Sequence, residues 1–225
     1  MNWMKKVAVA LVCLLPLGLQ AAKIDTLQVK SPSMNKSIEV VVVSPDVAAT
    51  KACPVIYLLH GYGGNACTWV GIKPDLPKIA DEKGIFFVCP DGKNTWYWDS
   101  PLNADVRYET FISNELVKYV DSHYKTVADR KGRAITGLSM GGHGAMWNGL
   151  RHSDVFSAAG STSGGVDIRP FPKNWEMSVQ IGEKAKYPEN WEKYTVINLV
   201  PTLRKDQIAL IFDCGCLLYT SDAAD

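Results

Sequence analysis

Apolar residues in this chain recur at two spacings, every second position or every third to fourth, and the switches between them mark out the elements. "KIDTLQVKS" alternates and predicts a strand, and "SIEVVVVSPD" predicts a second that is more continuously apolar. "PVIYLLHGYGG" is an apolar run that ends in glycines, which predicts a buried strand entering a tight loop. "GIFFVCPDG" repeats that design and leads into an aromatic loop, "KNTWYWDSP". From about Val106 to Tyr124 the spacing lengthens. Phe111, Ile112, Leu116, Tyr119 and Val120 share one stripe, with Glu109, Glu115, Lys118 and Asp121 outside it, as an amphipathic helix requires. "RAITG" predicts a strand and "MGGHGAMWNGLRH" a helix that leaves it at once. "VFSAAGSTSGG" and "QIALIFDCG" predict two more strands, separated by an irregular, Pro- and Trp-containing excursion or lid from about Val166 to Lys205. Strands alternating with helices imply an α/β fold with a mostly parallel, doubly wound sheet covered on both faces. Ligands in such sheets sit beyond the carboxyl ends of the strands, and here "HGYGG", "PDGKNTWYWD", "GLSMGG" and "DCG" converge on that edge.

Composition narrows the partners. The 225 residues are 47% hydrophobic and 21% charged, enough apolar material for a real core. With 24 basic and 23 acidic residues there is no net field to attract nucleic acid or an anionic membrane. "MNWMKK" followed by "VAVALVCLLPLGL" and the small residues of "QAAK" predicts an export signal over residues 1–22, cleaved after Ala21 or Ala22. The apolar run is too short for a membrane span and is broken by Pro16, so no stable membrane association is expected after cleavage. Val12 before Cys13 disfavours lipidation, and export implies a periplasmic or secreted protein. Disulfides are permitted there, yet Cys53 and Cys89 flank or end core strands, where a buried free thiol is expected; a bridge from Cys67 has no support. No Cys/His spacing resembles a metal site.

Chemistry enters at "TGLSMGGHGAM". Gly137-Leu138-Ser139-Met140-Gly141 fits Gly-x-Ser-x-Gly, set between a predicted strand and helix. The glycines leave room for a sharp turn that holds Ser139 in a strained conformation with its oxygen exposed above the sheet. Five residues recur by chance; the flanking strand and helix give the pattern its weight. His60-Gly61-Tyr62-Gly63-Gly64 follows an earlier core strand and lets the backbone approach a substrate carbonyl. The amide of Tyr62 is one expected oxyanion donor, and the amide of Met140, beside a helix N-terminus, is the other.

Together "LLHGYGG", "NTWYWDSP", "NELVKYVDSHY", "GLSMGGHGAM" and "DCG" resemble the esterase D family of α/β-hydrolases, from about Ser37 to Gly215. That family includes feruloyl, acetyl-xylan and tributyrin esterases, S-formylglutathione hydrolases and the related mycolyltransferases. The resemblance implies an α/β-hydrolase fold, no cofactor, and Ser139 as nucleophile; Leu138 departs from the His that many relatives carry there. It also places the aromatic loop on the substrate side, where one or two of Trp96, Tyr97 and Trp98 would offer surfaces for a sugar or aryl group, the alternative being that two of the three rings pack under the loop, with Asp99 bracing the turn. The implied activity is that of an exported serine carboxylic-ester hydrolase acting through an acyl-enzyme on acetyl or feruloyl esters of carbohydrate. A mycolyl-type acyltransferase and a non-catalytic glycan-binding relative are the alternatives. The expected partner is a small-molecule or polysaccharide ester.

A serine nucleophile needs an imidazole within hydrogen-bond reach and a carboxylate to orient it. None of the four histidines suits. His60 precedes the oxyanion loop as a structural hydrogen-bonder, and His143 lies on the outgoing helix, pointing away from the attack face. His123 and His152 close helices. The family order is Ser, Asp, His, and no histidine follows His152. Asp213 matches a structural position of the "DCG" turn, and the place of the acid falls near Leu218. "CLLYTSDAAD" breaks the pattern after Gly215 and back-translates to a transposase-type sequencing adapter. The expected organisation is therefore a signal at 1–22, an esterase domain over 23–215 cut short of its acid and histidine, and a non-native tail at 216–225. This polypeptide is expected to be inactive, unlike its parent. Sequencing the source DNA past codon 215 is expected to reveal a different continuation; clean genomic sequence encoding this tail and a stop codon would overturn the expectation.

Overall fold

The computed structural model of the chain describes residues 22–214. The expected signal segment up to Ala21 and the expected tail, with Leu218, lie outside the described residues. Seven strands form one sheet: β1 (Lys23–Ser31), β2 (Lys36–Ser44), β3 (Val55–Leu59), β4 (Phe86–Pro90), β5 (Arg133–Gly137), β6 (Ala158–Thr162) and β7 (Ala209–Asp213). Their spatial order is β1-β2-β4-β3-β5-β6-β7. The β1–β2 and β2–β4 pairs are antiparallel, and the remaining neighbours are parallel. This is the mostly parallel α/β architecture that the pattern predicts.

Period two explains why the central strands read as unbroken apolar runs. Val40 and Val42 of β2, Val55, Tyr57 and Leu59 of β3, and Phe86 and Val88 of β4 enter one buried cluster. The alternate residues Val41, Val43, Leu58, Phe87 and Cys89 enter a second cluster on the other face. Both faces are covered, so neither needs polar residues. Full burial of each such side chain contributes about 1.5–3 kcal/mol. Cys53 and Cys89 are buried free thiols, as expected; Cys67 and Cys214 are exposed and free.

Two short helices that the pattern does not announce, α1 (Thr68–Ile72) and α2 (Leu76–Lys83), lie between β3 and β4. The predicted helix near 106–124 is α3 (Tyr108–Thr110), a π-helical turn (Phe111–Glu115) and α4 (Leu116–His123) in succession. Its buried Glu109 accepts from Trp147 Nε1, Arg151 Nε and His152 Nε2, each at 2.8 Å, and so ties α3 to α5 (Met140–Arg151). Burial opposes ionisation of Glu109; the bonds from His152, Arg151 and Trp147 outweigh it and hold the carboxyl below its usual range.

The excursion between β6 and β7 is better ordered than its composition predicts. It contains α6 (Met177–Ile181), α7 (Pro188–Lys193) and a 3₁₀ stretch (Val196–Thr202). Ile168, Met177, Ile181, Trp191, Tyr194 and Val196 join the main core, and Tyr194 stacks on Trp147 with ring centroids 5.1 Å apart. It is irregular to the eye because its helices are short and its apolar residues pack singly. No periodic stripe results.

β7 ends the sheet as an exposed edge. Ile211 is 76% and Phe212 is 74% exposed, on opposite faces of the strand. An unpaired edge with bare apolar faces is a template for self-association. The chain is expected to self-associate, and a variant carrying Ile211→Lys and Phe212→Ser to do so less, read as a lower mass by light scattering at equal concentration. An unchanged mass distribution would show that this edge is not the sticky surface.

Candidate active site

Ser139 sits where β5 turns into α5, with φ 53° and ψ −120°, a conformation that a non-glycine residue adopts only at a cost. Its backbone is pinned on both sides: the Ser139 amide donates to Thr162 O at 2.9 Å, and the His143 amide donates to Ser139 O at 3.0 Å. The side chain is exposed while Met140 beside it is buried. The elbow glycines are needed for space. A Cβ on Gly137 would lie 2.3 Å from Gly141 O, and one on Gly141 would lie 2.2 Å from Leu59 O and 2.6 Å from His60 O. These are backbone atoms, so nothing there can give way.

The same approach sets β5–α5 against the end of β3, which carries the expected oxyanion loop, His60 to Gly64. Among the described residues, the amides of Tyr62 and Met140 have no acceptor. Met140 opens α5, so its N–H is one of the orphan donors of a helix start. An exposed hydroxyl in a strained turn and two unpaired amides are the arrangement that acyl transfer uses to bind a developing oxyanion.

The aromatic loop is placed differently from expectation. Tyr97 and Trp98 are wholly buried and Trp96 nearly so, all within the main core. Tyr97 and Trp98 therefore do not offer faces to a substrate, which corrects that expectation for both. The reason is room: α5 has glycine at 144, where a Cβ would meet the Tyr97 ring at 2.4 Å. Their contacts show what the loop does instead. Tyr97 Oη donates to His60 O at 3.0 Å, the Gly92 amide donates to His60 Nε2 at 2.9 Å, and Asn94 Oδ1 accepts from the Gly63 amide at 2.9 Å. Loop 91–98 buttresses the oxyanion loop from behind. Trp96 and Tyr97 both adopt left-handed backbone, with φ 58° and 59°, strain held by this packing. The sequence signals for the role are the glycines at 92 and 144, which make space for the Tyr97 ring. Asp99 braces the turn as expected, accepting from the amide and hydroxyl of Thr110.

Each histidine is committed elsewhere. His60 is buried, and its Nε2 accepts the Gly92 N–H, which leaves the ring proton on Nδ1 beside Gly61 O at 2.8 Å. His143 accepts from Trp98 Nε1 at 2.9 Å, and its Nδ1 meets Gly165 O at 2.7 Å, so both nitrogens are used. Burial lowers its pKa to about 4 despite the bond to Gly165. His123 and His152 end helices that run back toward the starts of β5 and β6, at the edge of the sheet opposite Ser139. Among the described residues, no histidine hydrogen-bonds the Ser139 hydroxyl. Asp213 closes β7, where its carbonyl accepts from the Ser163 amide at 2.8 Å.

The buried, neutral His143 makes stability pH-dependent. Above its unfolded value near 6.5 the ring is neutral in both states and contributes no slope. As pH falls from there toward 4, only the unfolded chain takes up the proton, so stability drops by about 3 kcal/mol and then levels. Urea unfolding at pH 7 and 4.5 should register that loss, and His143→Gln, whose amide can serve both partners, should lack it. Equal losses in the two proteins would exclude His143 as the source.

Comparison with known proteins agrees with this geometry. An esterase of Mycobacterium tuberculosis is 28% identical over 149 residues, covering 63% of this chain and 32% of the relative. An acetyl esterase of Caldicellulosiruptor saccharolyticus is 32% identical over 102 residues, covering 45% of this chain and 37% of the relative. The matches thus span about one third of the length of these curated relatives. Among solved structures, a ferulic acid esterase superposes with a TM-score of 0.70 at 27% identity, over 90% of this chain and 83% of that one. The sheet order and the elbow are those of an α/β-hydrolase. Residues 31–211 match the family Esterase, described as "Putative esterase", and the chain belongs to that family.

Proposed function

We propose that the full-length protein is an exported serine carboxylic-ester hydrolase that cleaves acetyl or feruloyl esters of carbohydrate. The observation that carries this is the exposed Ser139 in its strained elbow, close to Gly61, where a Cβ would lie 3.5 Å from Ser139 Cβ, with the Tyr62 and Met140 amides unpaired among the described residues. In the reaction, Ser139 Oγ attacks the ester carbonyl, and the two amides stabilise the oxyanion. A histidine takes the serine proton and returns it to the leaving alcohol; water then releases the acid from the acyl-enzyme by the same route. Among the described residues all four histidines have other partners, and this reading assigns the base and its orienting carboxylate to none of the residues described. Similarity to an acetyl esterase and a ferulic acid esterase supports the choice of ester. The basic and apolar start of the sequence supports export.

The test is hydrolysis of p-nitrophenyl acetate and methyl ferulate by the full-length gene product beside its Ser139→Ala variant. The variant should lose a factor on the order of 10⁴–10⁶ in kcat, and the 225-residue chain should be comparably inert. Equal, negligible turnover by the full-length protein and the variant would favour a glycan-binding role instead. Transfer to an added alcohol in preference to water would make it an acyltransferase.

A further inference from the structure

The oxyanion loop is held from behind by loop 91–98, and a third segment reaches it from outside. Glu176, in the excursion just before α6, accepts from Asn94 Nδ2 on its Oε2 at 3.4 Å, with the Tyr62 hydroxyl nearby. Asn94 in turn takes the Gly63 amide on its Oδ1 at 2.9 Å. A chain of bonds therefore runs from Glu176 through Asn94 to the Gly63 amide, next to the residue that carries the expected oxyanion donor. Gly63 itself has φ 75°, so the loop is bent at the residue that Asn94 holds.

Glu176 is aimed, although it is exposed. The residue before it, Trp175, accepts Trp96 Nε1–H on its carbonyl at 3.1 Å, and its ring lies against Phe171 and Trp96. The residue after it, Met177, is fully buried. Between these anchors Trp175 and Glu176 are both left-handed, with φ 48° and 54°. Two consecutive non-glycine residues in that region carry strain, which persists only where surrounding contacts over-determine it. That backbone turn is what directs the carboxylate toward Tyr62 and Asn94. Burial around the hydroxyl and the neighbouring Glu176 carboxylate both raise the Tyr62 pKa.

We propose that Glu176 is a positioning residue for ester cleavage: acting through Asn94 on the Gly63 amide, it holds the oxyanion loop so that the adjacent Tyr62 amide faces the carbonyl carried by Ser139. This rests on the hydrolase reading above. It assigns the excursion a part in the reaction without contact to the reacting atoms, because the excursion completes the mount of a donor that loop 91–98 secures from the other side. A preorganised amide stabilises charge only while its direction is fixed.

Two measurements test this independently. In the 225-residue chain, hydrogen exchange of the Gly63 amide, which Asn94 holds, should quicken about three- to tenfold in Glu176→Ala, as expected when a single hydrogen-bonded tether is removed. It should stay near the parent rate in Glu176→Gln, whose amide oxygen still accepts from Asn94. In the full-length gene product, Glu176→Ala should lower kcat for p-nitrophenyl acetate by about the same factor, leave KM within about twofold, and be rescued by Glu176→Gln. Unchanged exchange in Glu176→Ala would overturn the proposal, as would a Glu176→Gln variant as impaired as Glu176→Ala. A full-length protein without turnover would instead remove the hydrolase reading while the exchange result still decided whether the tether exists.

Discussion

The carbonyl oxygens of Leu59 and His60 constrain this site more tightly than any side chain. The start of α5 lies so close to them that Gly141 has no space for a Cβ, and Gly137 is closed in by Gly141 and Leu59 in the same way. Backbone packed on backbone cannot relax by a rotamer change, so the end of β3 and the β5–α5 turn have one relative position. That contact sets Gly61, the residue before Tyr62, beside Ser139, where a Cβ on Gly61 would lie 3.5 Å from Ser139 Cβ. Both the strained φ of the serine and the reach of its hydroxyl above the sheet follow from it.

Around that junction the structure spends its aromatic residues on rigidity. Trp96 stacks on Trp98 at 5.5 Å, Trp98 meets His143 and Tyr194 edge-on, and Tyr194 stacks on Trp147. This column joins the aromatic loop, α5 and the excursion into one core, with Tyr194 Oη donating to Asp99 O at 2.7 Å as a further tie. Aromatic pairs contribute about 0.5–1.5 kcal/mol each beyond the area they bury. Their larger effect here is geometric, because every part that touches the oxyanion loop rests on them. His143 belongs to this column. A neutral imidazole that accepts one N–H and faces one carbonyl is a core residue, however near it stands to the nucleophile in sequence.

β7 marks the other boundary. Its pairing with β6 is complete in register, from Ala158–Ala209 to Thr162–Asp213, while its outer edge and side chains stand open. An apolar trough of roughly 990 Å³ lies beside it, lined by Phe171, Val196, Leu210 and Phe212 among others. The site is correspondingly one-sided: Ser139 and the unpaired amides of Tyr62 and Met140 occupy the well-packed half near β3 and β5, and among the described residues no histidine meets them.

The sequence by itself determined the strands, the long helix, the elbow and the oxyanion loop, because each is a local matter. Period two and period three to four report burial directly, and Gly-x-Ser-x-Gly reports a turn whose sterics involve mostly its own residues. The rejection of His143 was legible too, since a residue one turn into α5 must follow the helix away from the serine. What only tertiary structure decided is which way the aromatic residues face and what holds the oxyanion loop. "NTWYWDSP" reads equally well as a substrate wall or a buttress. The choice depends on space at Gly144, on Asn94 finding the Gly63 amide, and on Glu176 arriving from 82 residues further along the chain. Such contacts leave no periodicity in a single sequence. They arise because a packed core must fill volume and pair its buried polar groups with whatever segment lies nearest.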